Sequence, residues 1–214
     1  MSLTDTFIEL AERGLVPDFL VRAGIRNLCH KRLGQCRTND CEANAELAEK
    51  YLKESDASTM AVLTDKANEQ HYEVPTEFYQ KVLGENLKYS CCYFESFSGD
   101  LSKAENHALE LSCQHAQLKD EFEILELGCG WGSLSLWMAN RFPKARITSV
   151  SNSHSQRQHI LCKAKERGLE NLEVITEDVN AFEPDKYFDR VVSVEMFEHV
   201  RNHRELFKRI HSWL

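Results

Sequence analysis

EILELGCGWGS, residues 123–133, sets a short apolar run against a burst of glycine. Ile124, Leu125 and Leu127 read as a buried strand, and the apolar run that begins at Leu134 reads as a helix. Between them stand Gly128, Gly130 and Gly132. Glycine at a strand-to-helix turn permits positive φ and lets a ligand approach the backbone closely. A dinucleotide-binding turn spaces its glycines G-x-G-x-x-G and turns helix N–H groups toward a pyrophosphate. Here the third glycine comes one residue early, and an acid, Glu126, stands two residues before the first. A carboxylate at that place suits a cationic ligand better than a diphosphate. The alternative is a tight turn whose glycines serve packing.

Around this turn the pattern is α/β. FEILELG, ARITSVS, NLEVITED and FDRVVSVE read as four strands, separated or followed by the helices GSLSLWMANRF, SQRQHILCKAKERG and RNHRELFKRIHSWL. Such alternation predicts a parallel sheet with right-handed crossovers. The fourth strand then neighbours the first across the topological switch point, where open α/β sheets bind ligands. Its run Val191, Val192, Val194 would lie on an open edge, which natural proteins avoid. The expectation is a fragment, a short form, or a protomer completed by a second copy as a homodimer.

The strand ends carry polar residues. Ser151 and Asn152 close the second strand, with Gln156 one turn into the next helix. Hydroxyl and amide groups can hold ribose hydroxyls through neutral hydrogen bonds. Asp178, after the third strand, is placed to accept from an adenine amino group. Each is equally an ordinary helix cap. After the fourth strand, EMFEHV holds Glu195, Glu198 and His199. In a helical turn these stand at i, i+3 and i+4 and share a face. The plainer reading is a solvated helix start, where acids are favoured.

Residues 1–118 read as a helical covering segment and residues 119–214 as the α/β domain. Phe7, Ile8, Leu10 and Ala11, then Phe19, Leu20, Ala23 and Leu28, recur at helical spacing. PDFLVRAGIRNLCHKRL is basic and amphipathic through Arg22, Arg26, Lys31 and Arg32. It reads as a packed helix with a solvated face, with contact to anionic lipid as the alternative. Pro75 is expected to start a helix through Leu83, ended by Gly84. An aromatic loop follows, with Tyr89, Cys91, Cys92, Tyr93, Phe94 and Phe97, and then a helix from about Leu101 to Leu118.

A chain of 214 residues with 42% hydrophobic and 28% charged residues reads as globular. A net charge of −8 argues against nucleic acid as a partner. No apolar run approaches the ~18 residues of a membrane span, so stable membrane insertion is not expected. The eight cysteines form no C-x-x-C, and Cys29, Cys36 and Cys41 fit no zinc pattern, so no metal is expected. Without a secretion signal they read as reduced thiols of a cytoplasmic protein.

HYEVPTEFY, LKYSCCYF, ELGCGWGS, SNSHSQ and VSVEMFEHV appear in this order. Together they resemble the cyclopropane-fatty-acid synthase-like methyltransferases, and within them the coclaurine N-methyltransferase-like branch, over roughly residues 65 to 214. The resemblance implies a class I methyltransferase, Rossmann-like parallel sheet, of which four strands are present, with an N-terminal helical region. It implies S-adenosylmethionine as cofactor and a small amine, such as a tetrahydroisoquinoline, as substrate. On this resemblance Tyr89 and Ser90 lie over the cofactor, and Glu126, Gly128, Gly130 and Gly132 form its methionine-binding loop. Ser151, Asn152 and Gln156 fall on the ribose side, Asp178 and Val179 at the adenine, and Glu198 and His199 in the active site. The fatty-acid enzymes usually read Gly-Met-Phe-Glu-His where this chain reads Glu195-Met196-Phe197-Glu198-His199. That acid resembles the amine enzymes. Members of the family continue well past the length of this chain.

Methyl transfer to an amine needs an unprotonated nitrogen in line with the S–CH₃ bond, and positioning supplies much of the rate. An imidazole, ordinarily titrating near about 6.5, suits removal of the proton beside carboxylates. The expected roles are base and orienter for His199 and Glu198, and holder of the amine cation for Glu195. Tyr89, Tyr93 and Phe94 face a cation through their rings or simply pack beneath the loop. Two further expectations stand beside this one: modification of an unsaturated lipid chain, and a truncated, catalytically silent product.

Overall fold

Alternation along β1, Glu123–Leu127, sends Ile124 and Glu126 to one face of a sheet and Leu125 and Leu127 to the other. Of these, Ile124, Leu125 and Leu127 are almost wholly buried, each worth about 1.5–3 kcal/mol of transfer free energy. The computed structural model describes residues 3–62, 76–95 and 99–214. In it β1 pairs in parallel with β2 (Arg146–Ser151) and with β4 (Arg190–Ser193), and β3 (Leu172–Thr176) pairs with β2. The order is β3-β2-β1-β4, the sheet expected from the sequence.

Eight α-helices are described: α1 (Leu3–Glu12), α2 (Asp18–Cys36), α3 (Cys41–Asp56), α4 (Thr76–Val82), α5 (Leu101–His115), α6 (Ser133–Arg141), α7 (His154–Glu166) and α8 (His203–Trp213). Ile124 and Ile147 pack against Leu109 and Cys113 of α5 and against Leu134 and Met138 of α6. On the opposite face Leu125, Leu127 and Val150 pack against Leu206 and Trp213 of α8. Both faces are thereby covered, as a parallel sheet requires. β4 has β1 as its neighbour, and its residues are half-buried. It stops at Ser193, two residues short of the strand read from FDRVVSVE, because the backbone turns at Glu195 with φ +50°.

The chain divides into compact units 1–54 and 55–214. The division falls earlier than the 118/119 boundary expected from the change of pattern. Residues 55–62 are stitched to the sheet: Met60 O accepts from the N–H groups of Arg201 and Asn202 at 2.8 and 3.1 Å, and Ala61 N donates to Asn180 Oδ1 at 2.8 Å. Together with α5 they belong to the α/β body. Within the first unit α2 has no buried residue, and Phe19, Leu28 and Leu33 are largely exposed. Its apolar residues spread around the helix, so the amphipathic face expected over 17–33 is not formed. Exposed i,i+4 pairs such as Arg22–Asp18 at 2.6 Å support this helix by only a few tenths of a kcal/mol, about 0.3–0.5. Among the described residues no helix is long and apolar enough to cross a membrane. Residues 71–75 of HYEVPTEFY, Pro75 among them, and Phe97 lie outside the described residues, while Thr76–Val82 form α4.

Candidate active site

The three loop glycines all take positive φ: +79° at Gly128, +52° at Gly130 and +82° at Gly132. Their surroundings differ. A Cβ on Gly128 would lie 2.7 Å from Met196, and one on Gly132 would lie 2.5 Å from Ile160 of α7. A Cβ on Gly130 would meet nothing within 4 Å. The outer glycines therefore let the turn after β4 and helix α7 close on the loop, while the middle one turns its backbone to open space.

Glu126 lies beneath this loop on the face covered by α6. It is 3% exposed, and its Oε2 accepts from Ser135 of α6 and, at 2.8 Å, from Ser149 of β2. Burial raises its pKa, and the two hydroxyl bonds work the other way. The acid of the glycine motif is thus part of a buried three-residue polar cluster.

A cavity of about 450 Å³ opens over the C-terminal ends of β1 and β4, a size typical of small-ligand sites. Glu126 lines it from β1, Gly128 and Gly130 from the loop, Tyr89 and Ser90 from the segment before α5, and Glu195, Glu198 and His199 from the turn after β4. Ser193 Oγ donates to Leu127 O at 2.9 Å, so the two strands end level and their following turns meet. Residues more than sixty positions apart in sequence thereby share one wall. Instead of the expected α-helical turn, Phe197–His199 form a single 3-10 turn.

Gly132, Ser151, Asn152, Gln156, Asp178 and Val179 lie outside this wall. Ser151 Oγ donates to Gln156 Oε1 at 2.6 Å, both residues being buried, and Gln156 Nε2 is buried without a partner among the described residues. Asp178 accepts from Asn180 N at 2.7 Å, and Val179 O accepts from Arg209 at 3.0 Å. They follow β2 and β3 along the same C-terminal edge of the sheet. Of the three aromatics, Tyr89 alone lines the cavity, stacked edge-on against buried Tyr79 at 5.4 Å. Tyr93 stands edge-on to His107 at 4.8 Å.

Glu195 Oε1 accepts from Cys91 N at 3.0 Å. That bond holds the carboxyl below the usual carboxylate range; partial burial opposes it, and the nearby Lys88 charge adds a smaller pull. The Cys91 thiol is raised, chiefly by its own hydrogen bond with Glu195. Lys88 is a wall residue that sequence reasoning passed over. It is 4% exposed, and its Nζ donates to Ser90 Oγ and to Cys91 O. Its signal was a lone lysine inside the apolar and aromatic run LKYSCCYF. Glu105 of α5, wholly buried, accepts from the backbone N–H groups of Gly84, Asn86 and Lys88 at 2.9, 2.8 and 3.1 Å. Among the described residues no group of three or more His, Cys, Asp or Glu is placed to hold a metal ion.

Residues 62–214 match the family model described as mycolic acid cyclopropane synthetase. The chain belongs to this family. It is 38% identical over 204 residues to (S)-coclaurine N-methyltransferase of Thalictrum flavum subsp. glaucum, covering 95% of this chain and 56% of that enzyme. It is 30% identical over 131 residues to cyclopropane-fatty-acyl-phospholipid synthase of Escherichia coli K12, covering 61% of this chain and 32% of that one. Among solved structures it superposes, with a TM-score of 0.92 and 33% identity, on coclaurine N-methyltransferase bound to N-methylheliamine and SAH, covering 100% of this chain and 61% of that one. This member of the cyclopropane synthetase family thus has the class I methyltransferase fold and spans little more than half the length of these N-methyltransferases.

Proposed function

We propose that the chain carries the catalytic face of an S-adenosylmethionine-dependent methyltransferase acting on the nitrogen of a small amine of the tetrahydroisoquinoline type. The observation that carries this reading is one cavity walled by the glycine loop and by Glu195, Glu198 and His199. The residues fit such a cofactor. Gly130 turns an open backbone to the cavity, Gln156 of α7 keeps a buried donor with no partner among the described residues, and three carboxyl groups line the wall against one lysine, a balance that a sulfonium and an ammonium prefer. When bound, the cofactor supplies an electrophilic methyl group on a sulfonium.

Tyr89, Ser90, Glu126, Gly128 and Gly130 would hold its methionine end, with Gly132 shaping the loop. Ser151, Asn152 and Gln156 would hold the ribose, and Asp178 and Val179 the adenine. Glu195, kept anionic by Cys91 N–H, binds the amine cation. His199, oriented with Glu198, takes the proton that blocks the nitrogen lone pair. Similarity to a coclaurine N-methyltransferase supports the amine, and the acid at position 195 supports it over an acyl chain. A lipid substrate is the second reading, favoured by the similarity to a phospholipid cyclopropane synthase.

Calorimetry with S-adenosylhomocysteine, followed by tritiated-methyl transfer to tetrahydroisoquinolines and to phospholipid vesicles, tests both. Counts in the amine are expected; counts confined to lipid favour the second reading, and an absence of cofactor binding rejects both. His199→Ala is expected to lower turnover about 100- to 10,000-fold with cofactor affinity nearly unchanged. Full turnover by that variant would remove His199 from the role of base.

A further inference from the structure

We propose that Lys88 is a positioning residue for Glu195, acting through the Ser90–Cys91 segment rather than by touching a substrate. A buried ammonium is costly unless its donors are satisfied. Lys88 Nζ meets a hydroxyl, Ser90 Oγ, and a carbonyl, Cys91 O at 2.8 Å. A fold needing only bulk here would place an apolar side chain. Cys91 is gripped at both ends by opposite charges: its carbonyl accepts from Lys88, and its N–H donates to Glu195 Oε1 at 3.0 Å.

The grip has a fixed base. Glu105 binds the Lys88 N–H at 3.1 Å together with those of Gly84 and Asn86, so the lysine rises from a loop pinned to α5. Its far end needs holding. Glu195 is exposed, with φ +50°, so burial does little to fix its side chain. Cys91 N–H, in the Ser90–Cys91 peptide, supplies that fixture only while the segment keeps its course, and Lys88 brackets that peptide by holding Ser90 Oγ before it and the Cys91 carbonyl after it. Its charge also favours the ionised form of Glu195. The charged and titratable groups facing Glu195 are Lys88, Cys91 and Cys92 from the loop, and Glu198 and His199 from its own turn. Glu126 faces the same cavity from β1.

The inference rests on the amine-methylation reading for its purpose, since that reading makes Glu195 the holder of the amine. Its test does not need turnover. Glutamate labelled with ¹³C at Cδ gives a Glu195 signal identified by its loss in Glu195→Gln. In Lys88→Met, which removes charge and donor, that carboxyl is expected to titrate at higher pH than in the unsubstituted chain. Lys88→Gln, which keeps a donor, should shift it less and serves where Lys88→Met does not fold. In the methyl-transfer assay the amine KM is expected to rise about tenfold, more than the dissociation constant of S-adenosylhomocysteine rises. Absence of turnover in the unsubstituted chain would count against the amine reading alone. A Glu195 titration unchanged in the folded variants would overturn the role of Lys88.

Discussion

Glu195 stands where the backbone favours glycine, with φ +50° and its carboxylate tied to Cys91 N–H. The glycine that the fatty-acid branch of the family resembled here usually places at this position suits that conformation without strain. The acid is therefore kept against a conformational preference of about 1–3 kcal/mol. Replacing it separates stability from function. Glu195→Gly should relieve strain while losing one exposed hydrogen bond, leaving stability within about 1 kcal/mol. Amine methylation should fall about a hundredfold. A large drop in melting temperature would show that the acid holds the fold instead. Glu126 offers the opposite case, a carboxyl whose pKa is raised by burial from an ordinary 4.5. A raised folded value means that its stabilising contribution is present below 4.5 and is lost as pH rises through the folded value. Glu126→Gln keeps the shape without the titration, so its stability should decline less between acid and neutral pH. Thermal melts across that range check it, and parallel curves for the two proteins would reject it.

The loop between β1 and α6 shows how one element divides labour among like residues. Gly128→Ala adds a Cβ 2.7 Å from Met196 at a positive φ, so it should cost about 1–3 kcal/mol and push away the turn that carries Glu195 and His199. Gly130→Ala meets no neighbour and should cost only about 1–2 kcal/mol of backbone strain, yet its methyl group points into the ligand's approach. Denaturant melts and S-adenosylhomocysteine titrations together distinguish the two; equal effects of both variants on binding would contradict this division. The elements themselves were legible in the sequence. Short apolar runs alternating with helical segments gave the strands, and the acid-x-G-x-G-x-G turn gave the order of strand, loop and helix. The end of β4 was not legible, because the turn at Glu195 meets the rest of the fold through long-range contacts, Met196 against Gly128 and Glu195 with Cys91 N–H, which no local pattern records. Nor was the burial of Lys88, since its acceptors are a hydroxyl and a carbonyl that exist as a cage only when Glu105 folds the preceding loop. On α2 the helical spacing was read correctly as helix, but the apolar residues fall all round it, so spacing alone implied a face that is absent.

At the scale of the whole molecule, every described residue lining the cavity belongs to the unit 55–214, as do Ser151, Asn152, Gln156, Asp178 and Val179, proposed above to hold the cofactor. Ligand binding should stabilise that unit by mass action, by about 2.7 kcal/mol at a hundredfold excess over the dissociation constant. Amide exchange can locate the effect. The groups best placed to report it are the Gly128–Gly132 loop, Ser90 and Cys91, and the turn from Glu195 to His199, because these meet at one wall. Protection is expected there and through β1 and β4, whose level ends carry the loop and the turn. Helices α1 and α2, exposed along their length and contributing no lining residue, should exchange as fast with S-adenosylhomocysteine as without it. Strong protection of α1 and α2 on binding would place the ligand's influence outside the cavity. Protection confined to the β2 and β3 ends, with the Glu195 turn unchanged, would separate cofactor binding from the catalytic wall. The level ends of β1 and β4 predict neither outcome, since a ligand that fills the space above Gly130 must also meet the turn that Gly128 admits against the loop.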